Sequence, residues 1–449
     1  MTMLRLAGAR RPARAAVAAA AVALALAMPG PTEGAGAGAT RPRAEAAAGQ
    51  GQTASAAPQG QTAPADPEAV RPFTIDVPDA VLADLEIRLA RTRLPDELPG
   101  TGWDYGTNRD YLEELLAYWR DGFDWRAQER MLNGFDQFKT TIDGLDVHFI
   151  HQRSPHEDAL PLIITHGWPG SFMEFHKIIG PLTDPTAHGG DAADAFHVVA
   201  PSIPGYGFSD KPRGRGYNPE RMASILGELM ARLGYERYGT QGGDWGSIIS
   251  RWQAVQHPDR VVGVHLNFVT AGPPAGVDDP EAGVPAAELE RMRERQASFA
   301  NERGYSSIQG TKPQTLGYGL NDSPAGLAAW IVEKFRTWCD CDGDVESRFT
   351  KDELLTNVTI YWVTQTITSS ARIYYESRHT PASQAIGYLE TPTGGAIFPR
   401  EITIPPRQWA ERVYNITHWT EMPRGGHFAA LEQPELLTDD IRAFFRPLR

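Results

Sequence analysis

Asp244 stands at the centre of Gly242-Gly243-Asp244-Trp245-Gly246, where a predicted strand hands over to a predicted helix. This is a small-x-nucleophile-x-small pattern: the small outer residues allow a sharp turn that lifts the central side chain clear of a sheet. A carboxylate in that position is suited to attack on a saturated carbon, giving an alkyl ester, and poorly suited to opening an amide. Water acting on the Asp244 carbonyl would then release the product through a tetrahedral oxyanion, which needs N–H donors worth about 3–4 kcal/mol each. Two backbone N–H groups are candidates, that of Trp245 and that of Trp168 in His166-Gly167-Trp168-Pro169-Gly170. The plainer reading of the same residues is a glycine turn with an aspartate cap at a helix start.

The water needs a base. Arg424-Gly425-Gly426-His427-Phe428 follows a strand-like segment over 413–419, which makes His427 better placed than the other eleven histidines. A positioned histidine contributes about 10²–10⁴-fold as general base. The carboxylate that orients it should follow the preceding strand, and Ala396-Ile397-Phe398-Pro399-Arg400-Glu401 supplies Glu401. Glu411 and Glu421 are weaker choices because they lie within or beside helix and strand. Nucleophile, then acid, then histidine is the chain order of an α/β-hydrolase.

The elements around these residues point the same way. Short apolar runs over 162–165, 196–200, 238–241 and 261–266 read as strands, and helical periods cover 222–233 and 247–256. Strands alternating with helices predict an α/β fold with a mostly parallel, doubly wound sheet, whose ligand sites sit at the carboxyl ends of strands. Each glycine-rich loop named here falls at such an end. The run GYGFSD at Gly205 lacks the third glycine of a dinucleotide fingerprint and opens no helix, which argues against a nucleotide cofactor.

The 449 residues hold 43 Lys and Arg against 56 Asp and Glu, a net charge of −13, which argues against a nucleic-acid partner, since that would want a basic face. The charge is uneven. Residues 1–70 carry six Arg against three Glu and one Asp, a net of +2, leaving −15 for the remainder. Four of those Arg precede an apolar run over 15–28 that Pro29-Gly30 ends, the pattern of a secretory signal peptide over 1–30. Export is therefore expected; an uncleaved membrane tether and a disordered alanine-rich tail are the other readings. The Ala, Gly, Gln and Pro composition of 31–70 predicts a disordered linker. Cys339 and Cys341, the only cysteines, allow free thiols or one bond across a single residue, and no disulfide framework.

From about Pro72 to the C-terminus the sequence resembles the microsomal-type epoxide hydrolases, a group that includes the juvenile-hormone enzymes. The resemblance rests on Trp119, Phe123-Asp124-Trp125-Arg126, Leu132-Asn133 and His148-Phe149-Ile150-His151. It continues through HGWPGSFMEF at His166, PSIPGYGFSD at Pro201, QGGDWGS at Gln241 and LNDSPAGLAAWIVEKF at Leu320, and ends with FPREI at Phe398 and RGGHFAALEQPE at Arg424. It implies an N-terminal wrapping segment (71–150), an α/β-hydrolase core in two halves (151–270 and 386–449) and an inserted helical cap (271–385). It places the nucleophile at Asp244, the acid at Glu401 and the base at His427. Two cap tyrosines that donate to the epoxide oxygen map onto Tyr305 and Tyr374, the latter beside Tyr375. The implied partners are an apolar epoxide and water, with no cofactor and no metal. The membrane anchor of the mammalian members is not carried over, and no oligomeric state is implied. A haloalkane dehalogenase shares the Asp elbow and would use a Trp at position 245; the tyrosines and the long N-terminal segment favour the epoxide. A non-catalytic relative that merely binds a hydrophobic ligand would need none of these five side chains.

Overall fold

Short runs of β-branched and apolar residues, each stopped by a glycine- or proline-containing loop, pair into one sheet. The computed structural model describes residues 66, 68–381 and 386–449. The expected signal peptide, and all but the last residues of the expected linker, lie outside the described residues. The strands are β1 (Arg71–Pro72), β2 (Gln137–Ile142), β3 (Leu145–Gln152), β4 (Leu160–Thr165), β5 (Phe196–Pro201), β6 (Tyr238–Gly242), β7 (Val261–Leu266), β8 (Leu389–Ile397) and β9 (Tyr414–Glu421). Their order in the nine-stranded sheet is β1-β2-β3-β5-β4-β6-β7-β8-β9. From β5 to β9 every pairing is parallel; β1, β2 and β3 extend the β5 edge antiparallel.

Both faces are covered. Along β6, Gly239 faces Phe445 of helix Pro434–Phe445, whereas Gly242 faces Gly246 of helix Asp244–Gln256. Residues an odd number apart on a strand point to opposite sides, so different helices lie on the two faces. This is the doubly wound, mostly parallel sheet expected. The helix after the elbow starts at Asp244 itself, earlier than the periodicity beginning at Ser247 suggests. Gly246 reads as a loop former in sequence, but here it is a packing position inside the first turn.

Between β7 and β8 the chain forms a helical layer that includes Gly304–Gln309, Pro324–Trp338, Lys351–Thr364 and Ile367–Arg378. A capping box starts Lys351–Thr364: Thr350 and Glu353 each accept from the other's backbone N–H. The N-terminal helices Asp79–Ala90, Arg109–Asp121 and Trp125–Leu132 pack onto this layer. The Tyr118 hydroxyl donates to Asp352 at 2.9 Å, and Arg88 pairs with Asp322 at 2.7 Å. Cys339 and Cys341 are bonded to each other. Among the described residues no helix is long and apolar enough to cross a membrane.

Away from the elbow, Asp440 on the terminal helix ties two strands that are not neighbours. Its carboxylate accepts from His265 on β7 at 2.9 Å and from His418 on β9 at 2.8 Å. Burial alone would raise its pKa; the hydrogen bonds from His265 and His418 outweigh burial and hold it well below the ordinary carboxylate range. A depressed carboxylate contributes stability above its unfolded pKa of about 4 and loses that contribution as pH falls. Asp440→Ala is therefore expected to destabilise the fold by about 3 kcal/mol at neutral pH. The gap from the parent should narrow below about pH 4. Urea unfolding followed by tryptophan fluorescence at pH 7 and pH 3 checks both, and a gap that widens in acid would contradict the assignment.

Candidate active site

Thr165 at the end of β4 is the register partner of Gly242 at the end of β6, so the loops that follow leave adjacent strands at the same level. The approach is too close for side chains. A Cβ on Gly246 would overlap the Thr165 carbonyl, and one on Gly242 would overlap the Gly246 backbone. Asp244 itself takes φ +48°, a left-handed conformation that costs a non-glycine residue about 1–3 kcal/mol and persists only where packing enforces it. The Trp168 N–H donates to Asp244 Oδ1 at 2.8 Å. The first bond of the following helix runs from the Ser247 N–H to the Gly243 carbonyl, so the Trp245 N–H belongs to the first turn, whose amides have no partner within the helix.

On the other side, β8 and β9 end together, with Ile397 paired to Glu421, and their loops bring in Glu401 and His427. His427 Nδ1 lies 2.6 Å from Glu401 Oε1, and His427 Nε2 lies 3.5 Å from Asp244 Oδ2. Glu401 Oε1 also accepts from the Ile402 N–H at 2.5 Å, which holds the carboxyl in place. Glu411 and Glu421 pair instead with Arg407 and Arg291. Burial alone would lower the His427 pKa; the Glu401 and Asp244 carboxylates on its two nitrogens outweigh burial and raise it well above the usual histidine range.

Tyr305 and Tyr374 close the site from the helical layer. Their rings are 5.7 Å apart; Tyr305 stacks on Trp168 at 5.2 Å, and Tyr374 meets Trp245 edge-on at 4.8 Å. Tyr375, one residue on, stacks on His379 at 4.0 Å and does not join them. Burial raises both phenol pKa values and the Asp244 charge adds to it, so both remain neutral O–H donors. The Tyr374 hydroxyl is buried without a partner among the described residues. An unpaired buried donor costs about 1–3 kcal/mol, so an acceptor arriving beside the Tyr374 hydroxyl would relieve that cost.

Two supports carried no role in the sequence reading. The His427 N–H donates to the Trp338 carbonyl at 3.0 Å, and the Trp338 ring stands 5.1 Å from the imidazole. Glu432 accepts from the N–H groups of Gly426 at 3.0 Å, Phe428 at 3.0 Å and Asp340 at 2.8 Å. The available signal for Glu432 was a carboxylate closing the apolar run Phe428-Ala429-Ala430-Leu431 just after His427.

Known proteins are similar to this chain. Residues 70–175 match the family model described as epoxide hydrolase N terminus, and residues 161–335 match that of the alpha/beta hydrolase fold. The chain is 42% identical over 409 residues to epoxide hydrolase 1 of Sus scrofa, covering 85% of this chain and 89% of that one. The chain belongs to the epoxide hydrolase family. Solved structures of the family superpose on it. Juvenile hormone epoxide hydrolase of Bombyx mori gives a TM-score of 0.78 at 34% identity, covering 85% of this chain and 95% of the other. The epoxide hydrolase of Aspergillus niger gives 0.76 at 33% identity, covering 85% and 97%. The α/β-hydrolase fold and the epoxide hydrolase resemblance read from the motifs are thereby shown.

Within this family member the bracing of His427 predicts a measurable effect. Glu432→Ala leaves three backbone N–H groups without their acceptor and should destabilise the protein by about 2–4 kcal/mol, read as a lower urea midpoint. A midpoint within error of the parent would mean that those amides find other partners.

Proposed function

We propose that this chain opens an apolar epoxide to a vicinal diol through an ester on Asp244. The observation that carries the reading is the pair of neutral phenols, Tyr305 and Tyr374, gathered over Asp244 with the Tyr374 hydroxyl left unpaired. Asp244 attacks one epoxide carbon, the C–O bond breaks, and the tyrosine hydroxyls stabilise the oxygen that leaves. Two phenol O–H donors are what a developing alkoxide asks for, since it can take up a proton, whereas a departing halide needs none; that favours the epoxide over a carbon–halogen bond. The site walls are Trp168, Trp245, Trp338 and the two tyrosines, which suits an apolar substrate.

The charges order the two steps. At rest His427 is an imidazolium held between two carboxylates and cannot act as a base. Alkylation turns Asp244 into a neutral ester and removes one of those carboxylates, so the imidazole pKa falls. In net, the imidazolium gives up a proton while the alkoxide gains one. His427 Nε2 then takes a proton from water, and the hydroxide bonds to Asp244 Cγ. The Trp168 and Trp245 N–H groups hold the oxyanion. On collapse the Cγ–O bond to the alkyl group breaks and the hydroxyl proton of the intermediate passes to the diol.

A single turnover of styrene oxide in ¹⁸O-water, followed by mass spectrometry of the peptide containing Asp244, tests the ester. Label is expected in Asp244 after the first turnover; label in the diol alone would mean direct attack by water. Asp244→Ala should abolish diol formation in a folded protein. Tyr374→Phe and Tyr305→Phe should each slow ester formation by about 10²-fold in stopped-flow fluorescence. Unchanged rates in both would remove the tyrosines from the chemistry.

A further inference from the structure

Glu174 is a carboxyl the two-step chemistry above does not use, and it sits in the same cavity. It belongs to the turn Phe172–Phe175, whose other three residues, Phe172, Met173 and Phe175, are all buried apolar side chains. Its carboxyl folds back over Gly170 so closely that any Cβ there would overlap it. Gly170 ends the HGWPG loop whose Trp168 N–H holds Asp244. Lys177, three residues on, pairs with Glu353 at 2.5 Å rather than with Glu174. Glu174 is a half-buried residue, and it lines a cavity of about 20 Å³ together with Gly167, Trp168, Asp244, Asn267 and His427. A space of that size holds about one water, and a water in a polar cavity needs two to four partners.

We propose that Glu174 positions the hydrolytic water, accepting a hydrogen bond from the O–H that His427 does not take. The water must present one proton to His427 Nε2 and a lone pair to Asp244 Cγ, which leaves its second O–H to be fixed. Glu174 lines the cavity with both of those groups and provides the acceptor. A charged acceptor there would repel the oxyanion forming on Asp244. Burial, together with the Asp244 charge, pushes the Glu174 pKa up to about 8 against the opposing pull of His427. In the ester both of those charges are gone and burial, the largest cause, remains, so the carboxyl accepts through a neutral C=O. The water loses one proton to His427 and its oxygen bonds to Cγ. Its second proton stays on that oxygen until collapse, when it passes to the departing alkoxide.

This inference rests on the Asp244 ester, and the half-reactions separate the two readings. With styrene oxide as probe, rapid quench and mass spectrometry measure ester formation and ester decay in Glu174→Leu and Glu174→Gln. Glu174→Leu removes the acceptor at similar size and should slow ester decay at least tenfold while ester formation stays within threefold. Glu174→Gln keeps a neutral C=O and should decay within about threefold of the parent. Unchanged decay in Glu174→Leu overturns the proposal. So does a parallel fall in ester formation, which would mark a structural role, or a glutamine variant as slow as the leucine one. Ester formation reports a folded site in each variant; if Glu174→Leu fails to fold, Glu174→Ala takes its place under the same criteria. Absence of any ester in the parent enzyme would instead overturn the Asp244 reading.

Discussion

The contact between the Trp168 N–H and Asp244 joins two adjacent strand ends, and most of the site follows from it. β4 and β6 are parallel neighbours in register at Thr165 and Gly242, so the loops beyond them face each other across the width of one strand pair. Only glycine at 246 lets the helix start that close to β4. The left-handed backbone at Asp244 is the consequence: the chain must turn into a helix at once, and the turn points the carboxylate at the neighbouring loop. A site built this way is preorganised for the proposed chemistry, because the Trp168 N–H is already bonded to Asp244 before any substrate arrives.

Around that contact the charges are arranged so that each state of Asp244 sets the state of His427. With Asp244 ionised, the imidazole sits between two carboxylates and keeps its proton. In the proposed ester, only Glu401 would remain as a charged partner, and the same imidazole would become a base. The site therefore needs no separate conformational switch between its acid and base forms. The neutral tyrosines complete the scheme, since a donor that stayed charged or ionised near Asp244 would disturb that balance.

Much of this was legible in the residues. That Asp244, His427 and Glu401 would meet could be read because an elbow pattern leaves local marks: small residues at fixed spacing, glycines beside a histidine, and an acid just past a strand. The alternating strands and helices read correctly because parallel strands are short apolar runs bounded by glycine loops. The helix start at Asp244 was misplaced because a glycine required by close packing looks, in sequence, like one that breaks a helix. Tyr305 and Tyr374 are set by packing across more than sixty residues, which no local pattern encodes, and they came only from resemblance. Glu432 and Trp338 were invisible for a related reason. Their work is done through backbone amides and a carbonyl, and side-chain spacing says little about where a backbone group will be needed.

The helical layer does more than roof the substrate, because it also holds the base. Helix Pro324–Trp338 ends at the Trp338 carbonyl, which accepts the His427 N–H. Beyond it, Asp340 accepts from the Gly425 N–H at 2.8 Å and donates its own N–H to Glu432, with the Cys339–Cys341 bond closing the segment between them. From the same layer, Arg295 donates to the Glu401 carbonyl at 2.8 Å. The tyrosines proposed to stabilise the first step and the histidine and acid proposed to drive the second are thus all held against one helical layer. Proximity chemistry loses rate steeply with displacements of about 1 Å, so a layer that shifted without carrying His427 would uncouple the steps. Binding His427 to the helical layer removes that failure, and it gives a physical reason for the backbone hydrogen bonds that the loop carrying His427 donates to Trp338 and Asp340.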